Sequence, residues 1–120
     1  MKSFVFILLC SLCLNAFGEV EPSESYLDFW DVEIGESEFM EFELVNNYPF
    51  QVEITNIDLD ADFSAFDLNE NCLGLLDAGD SCFIEVIFSP YEVESYMGDL
   101  DIEVSTGEWI TIDLQGEGVR

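Results

Sequence analysis

Residues 99–114 read DLDIEVSTGEWITIDL, and this stretch contains two short segments in which apolar side chains occupy every second position. The first segment, 100–104, alternates aliphatic with acidic residues, and the second, 110–114, alternates them with threonine and aspartate. A period of two is typical of β-strands with one buried and one exposed face. The residues between the segments, Ser105-Thr106-Gly107-Glu108, have the composition of a turn. The stretch therefore predicts two strands joined by a turn.

The same alternation recurs along most of the chain. It is present at 40–44, 52–54, 57–59 and 84–88, with turn-forming residues between the segments. The phase changes between Ile54 and Ile57, which predicts a β-bulge or bend near Thr55 and Asn56. Strands of this length and spacing are typical of a two-sheet sandwich. We therefore predict an all-β antiparallel sandwich, with no helix after the N-terminal segment.

The first 18 residues have the layout of a secretory signal peptide. Lys2 supplies the positive charge, 4–14 is an apolar run broken only by Ser11, and small residues at Ala16 and Gly18 suit cleavage before Glu19. The apolar run is too short for a membrane-spanning helix. We expect 1–18 to be removed on export to the periplasm or the exterior, with no membrane insertion afterwards. The segment 19–25 contains a proline and three glutamates, and is predicted to be a flexible lead.

The charge of the remaining chain is strongly negative. All 27 acidic residues follow Gly18 and Arg120 is the only basic residue there, so the formal charge of that part is one minus 27, or −26. Such a field repels nucleic-acid phosphates and anionic membranes, which excludes both as partners. Basic partners and divalent cations remain. The acidic residues between core positions are interpreted either as a solvated face adapted to salt or as a binding surface.

Cys72 and Cys82 are the two cysteines that follow the signal segment. An even pair at short separation in an exported protein predicts a disulfide. The alternative is a metal site. Two thiols in a chain without histidine make a poor zinc site, so the disulfide is favoured.

The residue types needed for most enzymatic chemistry are missing. The chain has no histidine, and its lysine lies in the signal segment. This excludes nucleophiles activated by histidine, lysine Schiff bases and phosphate-binding loops. A pair of carboxylates could act as acid and base, but strands with open acidic faces offer no cleft. We expect no catalytic residues and no cofactor.

Asp58, Asp60 and Asp62 lie at alternate positions, like the start of a calcium-binding loop. Phe63 stands where such a loop requires glycine, and Asn69 where it requires a bidentate glutamate. These aspartates are therefore only weak candidates for a calcium site, beside weak and diffuse divalent binding elsewhere on the surface.

Aromatic residues near the turns are candidates for contact with a partner, because rings can anchor one. They are Trp30, Tyr48, Tyr91 and Trp109, with Tyr96 as a further one. For Tyr96 and Trp109 the commoner role is to cover the ends of the core. Phe39, Phe83 and Ile87 fall on outward phases of their strands, so they mark either a contact patch or a face covered by the opening strand.

The chain resembles the ASPM-SPD-2-Hydin (ASH) type of immunoglobulin-like domain, which is often labelled choice-of-anchor D in secreted bacterial proteins. Six pieces follow the family order from about 26 to 119. They are LDFWDVEIG at 27–35, LVNN with PF at 44–50, DF at 62–63, C…L..G.SC at 72–82, I.V.FSP at 84–90 and LQGEG at 114–118. Trp30 departs from the family, which usually has glycine at this position, and Tyr48 replaces small residues in a shortened turn.

The resemblance implies a sandwich of seven to eight strands over 26–119, related to major sperm protein and pilus-chaperone domains. Its members are interaction or structural modules with no shared catalytic residues, and the Cys72–Cys82 pairing is structural. We therefore expect an exported, non-catalytic domain in envelope assembly or adhesion. Its partner would be a protein or an envelope component, with basic residues to match the charge. The alternatives are an acidic divalent-cation-binding protein and a periplasmic chaperone-like module that adds a strand to a sheet edge.

Overall fold

The computed structural model describes residues 18–61 and 64–120. Sheet A contains, in spatial order, β1 (Val20–Pro22), β3 (Glu38–Asn46), β7 (Ser81–Phe88) and β5 (Phe66–Glu70). Sheet B contains β2 (Tyr26–Glu33), β9 (Trp109–Val119), β8 (Ser95–Val104), β4 (Val52–Ala61) and β6 (Gly74–Leu76). The segment predicted as a signal peptide lies outside the described residues, except for Gly18. In the described ranges, no helix is long and apolar enough to cross a membrane.

The predicted all-β sandwich is confirmed, with two differences. The described residues form nine strands, of which β1 and β6 have only three residues each. In addition, β2 runs parallel to β9, with Leu27 beside Leu114 and Val32 beside Gly118. All other strand pairs are antiparallel. Alternation in the sequence shows which side chains face the core, but it carries no information on the direction of a neighbouring strand.

Residues 19–25 are not a free lead, contrary to the expectation from their composition. Val20 pairs with Asn46 and Pro22 with Leu44, which makes β1 an edge strand of sheet A. The Asn47 N–H donates to the Glu19 carbonyl at 2.9 Å. The Val20 side chain is buried in the core. One apolar residue and a short run of backbone pairing are enough to hold this segment in place.

The core lies between the sheets and is made by the inward positions of the alternating segments. Its largest fully buried side chains are Tyr96, Phe42 and Phe88. Rings from both sheets meet there: Phe88 lies 4.9 Å from Phe66 and 5.5 Å from both Phe29 and Tyr96, between ring centroids. The register of β4 against β8 shifts between Ile54 and Asn56, so the predicted bulge is confirmed.

The closing glycines allow β9 to approach the core closely. A Cβ atom on Gly116 would lie 2.4 Å from the Phe88 ring, and one on Gly118 would lie 2.1 Å from the Glu92 carbonyl oxygen. Both distances are far below contact, so a side chain at either position would displace its neighbour. This close packing explains why the LQGEG segment has glycine at both positions.

Asn46 is the one polar residue among the buried residues of the described chain. Its side-chain amide donates to the carbonyls of Phe50 and Leu76 at 2.9 and 3.0 Å, and its Oδ1 accepts from the Tyr48 N–H at 2.9 Å. Because these partners satisfy its hydrogen-bonding groups, the amide can be buried without leaving an unpaired polar atom. It joins the end of β3 in sheet A to β6 in sheet B.

Cys72 and Cys82 form a disulfide, as the sequence predicts, with their Cα atoms 5.1 Å apart. Cys72 follows β5 and Cys82 lies in β7, which is the neighbour of β5 in sheet A. The bond therefore ties down the point at which the chain leaves sheet A to form β6 in sheet B.

Replacing both Cys72 and Cys82 by alanine is expected to lower the free energy of unfolding by roughly 2.5–3 kcal/mol, since the bond closes a loop of about ten residues. Urea denaturation measures this change. Reductant should bring the wild-type protein close to the variant and leave the variant unchanged. An equal midpoint for the oxidised wild type and the variant would contradict the expectation.

Candidate interaction surfaces

The outer face of sheet B carries rows of aspartates on adjacent strands. In one row Asp60 of β4, Asp99 of β8 and Asp113 of β9 lie directly opposite one another. In the next, Asp58 lies opposite Asp101, whose Oδ1 accepts a hydrogen bond from the Thr111 hydroxyl at 2.9 Å. Side chains at such positions have Cβ atoms about 5 Å apart. We call Asp58, Asp60, Asp99, Asp101 and Asp113 the acidic face.

Asp99 lies in the middle of this face. Partial burial raises the pKa of its carboxyl above the usual value, and the neighbouring charges of Asp101, Asp60, Asp113 and Asp58 raise it further. The repulsion acts on the ionised form, so it destabilises the folded protein at neutral pH. The acidic face therefore lowers stability, and any benefit it brings must come from solubility or from contact with something outside the fold.

The calcium candidates do not form a loop. Asp58 and Asp60 lie in β4, where alternate side chains project from the same face instead of wrapping around a point. Asp62 lies outside the described residues. Within the part of the chain that the structure describes, no three acidic or cysteine side chains come together in a way that could hold a metal ion.

A shallow, open depression on the acidic face lies above Gly98. A Cβ atom there would lie 2.5 Å from the Ala61 Cβ, so strands β4 and β8 approach closely at this point. The lining residues are Asp60, Ala61, Met97, Gly98, Asp99 and Asp113. The depression contains acids but no nucleophile or basic group to act with them.

The outer face of sheet A is partly apolar. Phe39 of β3 lies opposite Ile87 of β7, and Phe83 lies four residues before Ile87 along β7, opposite Glu43. Phe39 is 56% exposed and Phe83 is 43% exposed. The opening strand β1 extends the sheet beside β3 and does not cover this face. We call Phe39, Phe83 and Ile87 the apolar face; among the described residues, nothing lies over it.

The four aromatic candidates do not form one site. Trp109 begins β9, and Tyr48 reaches the same end of the sandwich through its hydroxyl, which donates to Glu108 Oε1 at 2.9 Å. Trp30 lies near the other end of β9, because its neighbour Asp31 pairs with Glu117. The two ends are about 26 Å apart along the strand.

Tyr48 has a structural role. Its ring stacks on Phe50 with centroids 4.8 Å apart, and it packs against the core. Burial, and then the hydrogen bond to Glu108, raise the pKa of its hydroxyl. Tyr96 is fully buried, whereas Trp109 is 58% exposed, so of the two only Tyr96 covers the end of the core.

Tyr91 lies 5.9 Å from the Tyr96 ring, between centroids, and about half of its surface is exposed. It follows Pro90, whose carbonyl accepts the Gly35 N–H at 3.2 Å. Tyr91 therefore lies at the same end of the sandwich as Trp30, in the connection between β7 and β8.

Trp30 lies in a β-bulge. Asp28 pairs with Gln115 and Asp31 with Glu117, so β2 advances by three residues where β9 advances by two. Trp30 has a positive φ of 58°, and its backbone N–H donates to Asp28 Oδ1 at 2.9 Å. The side chain is 73% exposed. A bulky residue rarely adopts this conformation, which explains why the family usually has glycine here.

Several exposed apolar residues lie outside the candidates that the sequence predicts. Met97 is 60% exposed and lies on the outward phase of β8 beside Asp99, so its alternation could have revealed it. Leu73 and Leu75 are also exposed, on either side of the start of β6. A three-residue strand gives too short a pattern for its outward position to be read from the sequence.

These features define a class of protein: strands β1 to β9 form an immunoglobulin-like sandwich, the fold that the resemblance to ASH domains implied. The chain belongs to the family of Ig-like domains of cilia- and flagella-associated protein 65-like proteins, which matches residues 26–120. No curated protein sequence matches the chain.

Solved structures agree on the fold. The ASH/PapD-like domain of human CEP192 (PapD-like domain 7) has a TM-score of 0.69 at 17% identity, covering 84% of this chain and 85% of that chain. The secreted serine protease VesC from Vibrio cholerae gives 0.65 at 18% identity, covering 88% of this chain and 24% of that chain. The E. coli chaperone DraB gives 0.58 at 9% identity, covering 83% and 55%. At such identities the likeness shows the fold alone.

Asp99→Asn is expected to stabilise the protein at pH 7 and low ionic strength by roughly 0.5–1 kcal/mol, because it removes repulsion from two directly opposite aspartates. The folded-state pKa of Asp99 is raised, so wild-type stability should rise as the pH falls through that pKa, with the gain complete below the unfolded value of about 3.9. The variant should show a smaller rise. Thermal melting between pH 7 and pH 4 measures both effects.

Glu24→Gln is the matched control, since it removes one negative charge outside the acidic face. Salt should narrow the gap between wild type and Asp99→Asn. A variant that melts at or below the wild-type temperature in low salt would refute the role given to this repulsion.

Trp30→Gly is expected to stabilise the fold by roughly 0.5–1 kcal/mol, because relief of the left-handed backbone exceeds the entropic cost of glycine. Trp30→Ala keeps a Cβ atom at the same φ and should bring no gain. Urea denaturation of the two variants measures the difference. If glycine and alanine proved equally stable, the backbone at this position would not be strained.

Proposed function

We propose that this protein is an exported, non-catalytic protein-interaction domain, and that its principal contact surface is the apolar face of sheet A. The observation that carries the proposal is the exposure of Phe39 and Phe83, with Ile87 half-buried opposite Phe39, on a flat sheet surface that no described residue covers. Exposed apolar patches on a folded domain mark contact sites, and aromatic residues are enriched in the cores of protein interfaces.

The surroundings of the apolar face indicate the chemistry of the partner. Glu41 and Glu85 lie opposite each other between the Phe39 and Phe83 rows, and Glu43 lies opposite Phe83. A partner that covers the rings must approach these carboxylates. Its surface should therefore present apolar residues flanked by lysine or arginine. A second copy of this acidic chain would bring like charges together at the same place.

Export is supported by the N-terminal sequence and by the disulfide. Structural disulfides form and persist in the periplasm, on cell surfaces and outside cells. The Cys72–Cys82 bond suits such a compartment. Envelope assembly and adhesion are the settings in which an exported domain without catalytic residues would act.

The alternatives are less well supported. Strand addition needs an open sheet edge, but at the edge strand β5 the Leu68 N–H donates to Asp67 Oδ1 at 2.8 Å, and the edge strand β2 is interrupted by its bulge. Divalent cations would bind at the acidic face. Among the described residues, however, no group of ligands converges on one point there.

Site-specific photo-crosslinking in the exporting cells tests this proposal. A photoreactive phenylalanine analogue placed at Phe39 or at Phe83 should give one adduct of the same mass, while the same analogue at the exposed Leu75 of β6 should not. Phe39→Ser together with Phe83→Ser should abolish complex formation and change stability by less than about 1 kcal/mol, since both rings are exposed.

Three outcomes would overturn the proposal: no adduct from either position, equal adducts from the control position, or an adduct with the mass of two copies of this chain. Leu75→Ser is the matched substitution for the double serine variant, because it also removes an exposed apolar side chain from a strand.

A further inference from the structure

We propose that Trp30 and Asp31 form a docking site for an arginine side chain of a partner protein. The proposal rests on the proposed function, in that the protein acts through contact with another protein. It adds a second contact point, at the edge of sheet B, together with the chemistry that this point recognises.

The bulge in β2 creates the site. Phe29 and Val32 both face the core and lie three residues apart instead of two. The extra residue leaves Trp30 and Asp31 side by side, both exposed. A regular strand would have placed only one outward side chain there.

The Trp30 side chain makes no stacking contact or hydrogen bond that would stabilise the described part of the fold. Within the described residues its indole stacks on no other ring, and its indole N–H donates to no acceptor, while 73% of the residue is exposed. Its backbone adopts a conformation that glycine would adopt more easily. A large side chain that has no internal contact and occupies an unfavourable backbone conformation points to an external contact.

The charges around the indole specify a cation. Asp31 pairs with Glu117 across the β2–β9 interface, and Asp28 lies on the other side of Trp30. Asp28 Oδ1 already accepts from the Trp30 N–H, and Glu117 Oε1 accepts from the Ser95 hydroxyl. Asp31 accepts no hydrogen bond from the described residues. Of these three carboxylates it is therefore the one with both oxygens available to an incoming donor.

Arginine fits this pair of side chains better than lysine. A guanidinium is planar, so it can lie on the indole face while its N–H groups donate to a carboxylate beside the ring. An ammonium can approach the ring or the carboxylate as a point charge but offers no flat surface for stacking. The negative charge of the chain repels other anionic molecules, so the arginine must belong to a protein that is not itself strongly acidic.

Peptide binding tests the inference. A fluorescein-labelled Gly-Arg repeat peptide and its Gly-Lys counterpart of equal charge are titrated with the protein at one ionic strength, and anisotropy gives both affinities. Every acidic protein favours such peptides through diffuse charge, so the decisive quantity is the ratio of arginine to lysine affinity. Trp30→Gly should reduce this ratio by about two- to fivefold, and Asp31→Asn should also reduce it.

Trp30→Phe keeps a ring and should retain part of the preference for arginine. Trp109→Phe is the matched control, since Trp109 is also exposed but lies at the opposite end of β9, and its ratio should equal that of the wild type. The same variant leaves Trp30 as the only tryptophan, so the arginine peptide should quench its emission more than the lysine peptide does.

An unchanged affinity ratio in Trp30→Gly, with both peptides still bound, would show binding by diffuse charge only and would overturn the arginine site. That result would leave the proposed function intact, because the latter is tested by crosslinks from Phe39 and Phe83 in sheet A. Conversely, crosslinks could be absent from Phe39 and Phe83 while the ratio of arginine to lysine affinity still depends on Trp30. That result would overturn the apolar face as a contact surface and leave the arginine site standing.

Discussion

The apolar layer between the two sheets determines where every charge of this protein can lie. Each long strand gives one of its faces to that layer, and the residues between the core positions must then face the solvent. With 27 acidic residues in the chain, the outward faces become rows of carboxylates. The contacts proposed with a partner therefore use outward positions at which the acidic pattern is interrupted, such as Phe39, Phe83 and Trp30.

Strand alternation made much of the fold predictable from the sequence. The inward residues, the bulge at Thr55 and Asn56 and the disulfide follow from patterns within short stretches of chain. The parallel pairing of β2 with β9 and the addition of β1 to β3 were not predictable, because both join segments that are distant in sequence and carry no directional signal. Composition also misrepresented residues 19–25, where one buried valine outweighs the charged neighbours.

The candidate surfaces were predictable to a smaller degree. Outward phase identified Phe39 and Phe83, since exposure follows from position once the strand is known. It did not separate Tyr96, which is buried, from Trp109, which is exposed, because both lie near strand ends, where packing of the adjoining loops decides. For Trp30 the departure from the glycine usual in the family was the useful signal, and only the backbone φ of 58° gave it a physical meaning.

Two features of the surface lower stability, and they do so for different reasons. The acidic face places like charges opposite one another, a cost that salt reduces. The backbone at Trp30 holds a local conformational cost, which salt cannot reduce. A surface adapted to salt alone would explain the first cost and leave the second without a reason. Because the same sandwich serves proteins of unrelated activity, function has to be sought where this chain departs from what the fold requires. Trp30 is such a place, since glycine would adopt its left-handed backbone conformation at a lower cost in free energy.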